Sequence, residues 1–92
     1  MRVLLIGVGT VGEAIARISA NADWCKAMIL ADYDLDRART LADSLGDAER
    51  FPAIQLDARN AATVAEAARV HKADLVMNAV DPQFVMPMST RP

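Results

Sequence analysis

A chain of 92 residues, 53% of them apolar, is enough for one small domain with a core of its own. Ten basic and twelve acidic residues, well interspersed, leave a net charge of −2, which excludes the positive field that nucleic acid or an anionic membrane requires. No apolar run reaches the roughly eighteen residues of a membrane span, and Cys25, the single cysteine, excludes an internal disulfide and a cysteine-rich metal centre.

The chain opens on Arg2 to Ile6, where Val3, Leu4, Leu5 and Ile6 form a short apolar run. Such a run predicts a parallel strand covered on both faces. A strand so close to Met1 also leaves no place for a cleaved signal peptide, and a cytoplasmic protein is expected. Gly7-Val8-Gly9-Thr10-Val11-Gly12 follows at once, and Ala14, Ile15 and Ile18 then recur at helical spacing over residues 10–21. A strand running through G-x-G-x-x-G into a helix is the fingerprint of a dinucleotide-binding turn. Gly7 permits the turn, Gly9 leaves bare backbone for a pyrophosphate, and Gly12 lets the helix approach the strand. The backbone N–H groups at Thr10 and Val11 face the phosphates with the helix dipole behind them. Val11, Ala14, Ile15 and Ile18 are expected to point inward, with Glu13 and Arg17 outward.

Trp24 is expected to lie as a half-buried lid at the entrance to a second strand, residues 27–31, and Cys25 beside it to be a small buried hydrophobe. Asp32 closes that strand twenty residues after Gly12, where a carboxylate accepts hydrogen bonds from the adenosine ribose. A carboxylate there repels a 2′-phosphate, which favours NAD over NADP while leaving NADP possible. Arg37 and Arg39 stand close enough to take a phosphate, but i,i+3 and i,i+4 spacing pairs them with Asp34, Asp36 and Asp43. Tyr33 either covers the adenine or shields the strand end. A second helix is predicted over 35–45, with Leu35, Ala38, Leu41, Ala42 and Leu45 inward and Gly46 as its stop. Residues 47–50 read as a polar loop.

The segment 51–56 contains Pro52 and reads as an edge strand. Asp57 ends it at the same edge of the sheet as Gly9 and Asp32. Together with Ala58 it either meets the adenine or serves as a first-turn charge or cap for the next helix. Asn60 is placed to cap that helix, which runs to Val70. His71 follows at the opposite edge of the sheet, and no catalytic or metal-binding role is expected of it. A fourth strand over 74–79 returns to the ligand edge, putting Asn78 and Ala79 near the ribose on the nicotinamide side. Right-handed crossovers give an α/β fold with a four-stranded parallel sheet in the order 3-2-1-4. A further helix begins at Gln83 but is interrupted by Pro87 and Pro92.

The runs GVGTVGEAIARI, ADYDLDRARTLADSLGD, FPAIQLDARN and ADLVMNAVDPQFVMP resemble the amino-terminal cofactor domain of the saccharopine dehydrogenase family, whose relatives include carboxynorspermidine and homospermidine synthases. The glycine run and Asp32 are shared by many dehydrogenases, and Asp74 to Pro82 is the more family-like part. The resemblance implies an NAD(P)-binding domain in an enzyme that makes or cleaves a secondary amine through an imine and hydride transfer. It implies cofactor contacts at Gly7, Gly9, Thr10, Val11, Gly12, Asp32, Asp57, Asn78 and Ala79. Residues 1–88 then form an incomplete domain, the first mononucleotide-binding half, with 89–92 as a tail. No residue matches a proton donor or a substrate clamp, so this chain alone is expected to be inactive, with no catalytic or metal-binding residue. The alternative is a stand-alone nucleotide-sensing module of the kind that regulates potassium transport, of which Leu56-Asp57-Ala58-Arg59-Asn60 is a partial match. Strand four, apolar on both faces and uncovered, is expected to recruit a second copy of the chain through its edge or face.

Overall fold

The computed structural model describes residues 1–80; the expected fourth helix, Asp81-Pro82 and the domain boundary near residue 88 lie outside them. Four strands and three helices alternate: β1 (Arg2–Ile6), α1 (Thr10–Ala20), β2 (Ala27–Asp32), α2 (Leu35–Leu45), β3 (Ala53–Gln55), α3 (Ala61–Val70) and β4 (Leu75–Asn78). All strand pairs are parallel and the order is β3-β2-β1-β4, as expected from the sequence. The first crossovers run leftward from β1 and the third jumps back over it, so the topological switch falls between β1 and β4.

The pleat of β1 sorts its side chains into two cores. Val3 and Leu5 join Met28, Leu30, Ala16, Ala38, Leu41 and Phe51 under α1 and α2. Leu4 and Ile6 join Ile29, Ala31 and Leu56 on the other side, where Val64, Ala67 and Ala68 of α3 cover them only partly. Val3, Leu4, Leu5, Met28, Ile29 and Leu30 are all fully buried, and each aliphatic side chain so removed from water contributes roughly 2 kcal/mol. That explains why both central strands read as unbroken apolar runs. No residue of α3 is fully buried, which fits its alanine-rich sequence.

Local signals end the elements where they were expected. Asp34 caps α2 by accepting from Arg37 N at 3.3 Å, and Asn60 caps α3 by accepting from Thr63 N at 3.1 Å. Gly46 stops α2 in the left-handed conformation with φ +72°. The end of α3 uses the same geometry without a glycine. Lys72 adopts φ +55°, its N–H bonds to Arg69 O, and Ala73 N bonds back to Ala68 O at 2.8 Å. Cys25 is buried and Trp24 about half exposed, as the sequence suggested. The third strand is shorter than expected. Phe51 is buried ahead of it, and Arg50 O and Pro52 O accept from Met28 N and Leu30 N.

One sequence expectation fails in α1. Gly12, Ala16 and Ser19 face the sheet, while Val11 and Ile18 are 54% and 72% exposed and Ala14 is also exposed. The cause is Gly12. The helix turns that residue toward β1, and its i+4 and i+7 neighbours follow. The more apolar stripe is thereby left outside.

Candidate dinucleotide-binding site

Because the sheet is parallel, the carboxyl ends of all four strands open on one edge. The glycine turn, Asp32, Asp57 and the Asn78-Ala79 segment therefore meet there. The turn starts with Gly7 at φ +94°, its N–H donating to Ala31 O at 2.7 Å. A Cβ on Gly7 would stand 2.9 Å from the backbone carbon of Ala79 and from Val80 N. A Cβ on Gly12 would stand 1.8 Å from Gly7 O. These glycines hold strand, turn and helix in contact. Gly9 differs, since its missing Cβ would meet only an Arg37 guanidinium nitrogen at 3.8 Å. Space beside bare backbone is what a phosphate needs, and Gly9 provides it.

Gly9 is also the N-cap residue of α1, and no side chain caps that helix. The first-turn N–H groups around Thr10 and Val11 keep their donors for a ligand, with the positive end of the dipole behind them. The Asp32 carboxylate closes the turn from the neighbouring strand. One oxygen accepts from Val8 N at 2.9 Å and the other from Asp34 N at 2.8 Å. Each oxygen retains a second lone pair, which is the capacity a ribose diol requires. Asp32 thus fixes the phosphate turn and the start of α2 while facing the same edge. At the far side Ala79 N donates to Ile6 O at 2.7 Å, and the Asn78 side chain folds back to accept from Val80 N at 3.1 Å.

Arg37 and Arg39 do not behave as their spacing suggested. Among the described residues neither forms an ion pair with Asp34, Asp36 or Asp43. Asp34 is turned onto the helix N-terminus as its cap, and Arg37 reaches instead toward Gly9. Arg37 also lines a shallow cleft of about 290 Å³ between α1 and α2 with Val8, Arg17, Thr40 and Ser44. Of the two readings the sequence offered for Arg37, a cation near the turn or a helical ion pair, the ion pair does not form.

Asp57 is neither a helix cap nor free. Its Oδ1 accepts from the backbone N and the Nε of Arg59 at 2.9 and 3.0 Å, and its Oδ2 from Nη2 at 3.0 Å. The Arg59 guanidinium holds the Asp57 carboxyl below the usual carboxylate range. Ala58 lies between them, half-buried. Tyr33 is 66% exposed at the end of β2, and its carbonyl accepts from Gln55 Nε2 at 3.1 Å. His71 lies at the opposite edge, where its carbonyl accepts from Arg2 Nε. No group of three or more metal-ligating side chains occurs among the described residues. None of their helices is long and apolar enough to cross a membrane.

The family model described as saccharopine dehydrogenase NADP binding domain matches residues 3–90. The chain belongs to that family. Among solved structures, quinate dehydrogenase from Corynebacterium glutamicum in complex with NAD is similar at 32% identity, with a TM-score of 0.63 over 88% of this chain. The match covers 27% of that enzyme, so this saccharopine-dehydrogenase-type domain corresponds to about a quarter of the neighbour's length. Both comparisons join the α/β fold to a nicotinamide dinucleotide, phosphorylated in the family's description and unphosphorylated in the neighbour's complex.

Proposed function

We propose that this chain is the part of the cofactor domain of an NAD(P)-dependent oxidoreductase that holds the cofactor's adenosine and pyrophosphate. The full enzyme reduces an imine or oxidises a secondary amine, as the family resemblance implies, and these residues alone turn over no substrate. The observation that carries this reading is the hydrogen bond from Val8 N to Asp32, which joins the phosphate turn to the ribose-binding carboxylate at the mouth of an uncapped helix.

The parts have distinct tasks. Thr10 and Val11 donate backbone N–H bonds to the pyrophosphate, and Gly9 lets it reach them. Asp32 accepts from the ribose hydroxyls, Tyr33, Asp57 and Ala58 border the base, and Asn78 and Ala79 border the second ribose. When bound, the dinucleotide supplies the hydride, while the chain supplies orientation. NAD is the preferred form because the Asp32 carboxylate occupies the side from which a 2′-phosphate would approach. Arg37 is the cation that would accept NADP.

Calorimetric titration of NAD, NADP and ADP-ribose against the wild-type chain and Asp32→Ala tests the assignment. Wild type is expected to bind NAD and ADP-ribose, and Asp32→Ala to lose about tenfold or more of that affinity. Absence of binding below millimolar concentration would sink the reading. NADP preference untouched by Asp32→Ala would sink the assignment of Asp32.

The domain is further proposed to be cytoplasmic and to self-associate through β4. Among the described residues β4 pairs only with β1, and Leu75 and Val76 on its two faces are 41% and 43% exposed. An exposed edge with apolar faces invites a further strand or a second copy. Sedimentation at high micromolar concentration is expected to show a dimer that Val76→Lys dissociates; a monomeric wild type would count against it.

A further inference from the structure

The base-facing end of the site contains a cation that the dinucleotide reading leaves unused. Arg59 grips Asp57 through two parallel N–H···O bonds of 3.0 Å, yet its own side chain remains 84% exposed. The guanidinium is therefore fixed in orientation while its flat face stays open to solvent. Tyr33 presents a second exposed ring at the end of the adjacent strand. Gln55, bonded to Tyr33 O, ties the two strand ends together.

This arrangement changes what Asp57 can do. An uncovered carboxylate at the end of β3 would accept a hydrogen bond from the adenine amino group. It would repel hypoxanthine, which carries a carbonyl oxygen at the same position. Here Arg59 occupies three of the four in-plane acceptor positions, both on Oδ1 and one on Oδ2, and its charge offsets that of the carboxylate. We infer that Arg59 masks Asp57, so that the base is held by stacking on the Arg59 plane beside Tyr33 and its amino group is not read. Stacking on a guanidinium or an aromatic ring is sequence-tolerant, because every purine has a π-face. The inference rests on the dinucleotide reading above and deepens it at the base. It assigns Arg59 as the residue that sets base tolerance.

The test compares NAD with nicotinamide hypoxanthine dinucleotide by calorimetry on the full 92-residue chain. Wild type is expected to bind the two within about twofold of each other. Arg59→Ala and Arg59→Gln uncover Asp57 and are expected to prefer NAD by about tenfold, the discrimination a site shows when it reads one polar group. Asp57→Ala is expected to keep the ratio near one, as is the double variant Asp57→Ala with Arg59→Ala. Thermal melts of each variant confirm that the fold is retained. A wild type that already favours NAD tenfold, unchanged by Arg59→Ala, overturns the inference and leaves nucleotide binding intact. So does a ratio that stays at one in both Arg59 variants. Absence of binding to either dinucleotide in every variant overturns the nucleotide reading, and this inference with it.

Discussion

Gly12→Ala is expected to lower the stability of the domain by about 3 kcal/mol or more, enough to leave a small domain largely unfolded near physiological temperature. The added Cβ would stand 1.8 Å from Gly7 O, and that oxygen belongs to backbone pinned on both sides. Gly7 N bonds to Ala31 O, and Ala79 N bonds to Ile6 O one residue away. Relief would require α1 to lift from β1, exposing Ala16 and Ser19 and opening the core over Val3 and Leu5. Gly9→Ala supplies the contrast. Its Cβ would meet only Arg37 Nη1 at 3.8 Å, an ordinary contact, so the fold is expected to survive. Its affinity for NAD should nevertheless fall about tenfold or more, because the methyl stands where the pyrophosphate approaches the backbone. Melting curves and NAD titrations on both variants separate the two roles. Equal stability loss in both would show that Gly9 is packed rather than kept open.

The α/β order, the strand sequence 3-2-1-4 and the edge that gathers the candidate site residues were legible because each rests on a strong local signal. Val3 to Ile6 and Ala27 to Ala31 are apolar on every residue, and Gly46 and Asn60 mark helix boundaries by their own backbone chemistry. Asp32 could be found by its distance from Gly12. The inward face of α1 was not legible, since hydrophobic periodicity favours Val11 and Ile18 whereas the close approach at Gly12 decides the rotation. Side-chain pairing failed for a related reason. Helical spacing pairs Arg37 with Asp34, but Asp34 is already committed as a cap. Asp57 was visible as a candidate at the end of β3, while its capture by Arg59 depends on a turn geometry that composition does not encode. The least legible residue was Arg50, hidden in what reads as a polar loop.

Arg50→Ala is expected to cost about 3 kcal/mol and to lower the melting temperature on the order of 15 °C. Its guanidinium makes five hydrogen bonds to four backbone carbonyls, those of Ser19, Ala20, Ala22 and Cys25, between 2.7 and 3.2 Å. Ser19 and Ala20 close α1, so a fixed cation there satisfies carbonyls with no intrahelical partner and opposes the negative end of the dipole. The same group lies 5.1 Å from the centre of the Phe51 ring, which is fully buried at the start of the third-strand segment. One side chain therefore joins the end of α1, the entry to β2 and the entry to β3. Arg50→Lys is expected to recover less than half of the loss, because a single ammonium cannot span four carbonyls. Arg39→Ala, on the exposed face of α2, should stay within about 0.5 kcal/mol of wild type. Arg50 lies at the amino edge of the sheet, opposite Asp32 and Gly9. NAD affinity measured well below the melting temperature is therefore expected to be unchanged in Arg50→Ala, whereas Asp32→Ala loses affinity. A variant that loses affinity without losing stability would show instead that Arg50 is coupled to the ligand edge through β2.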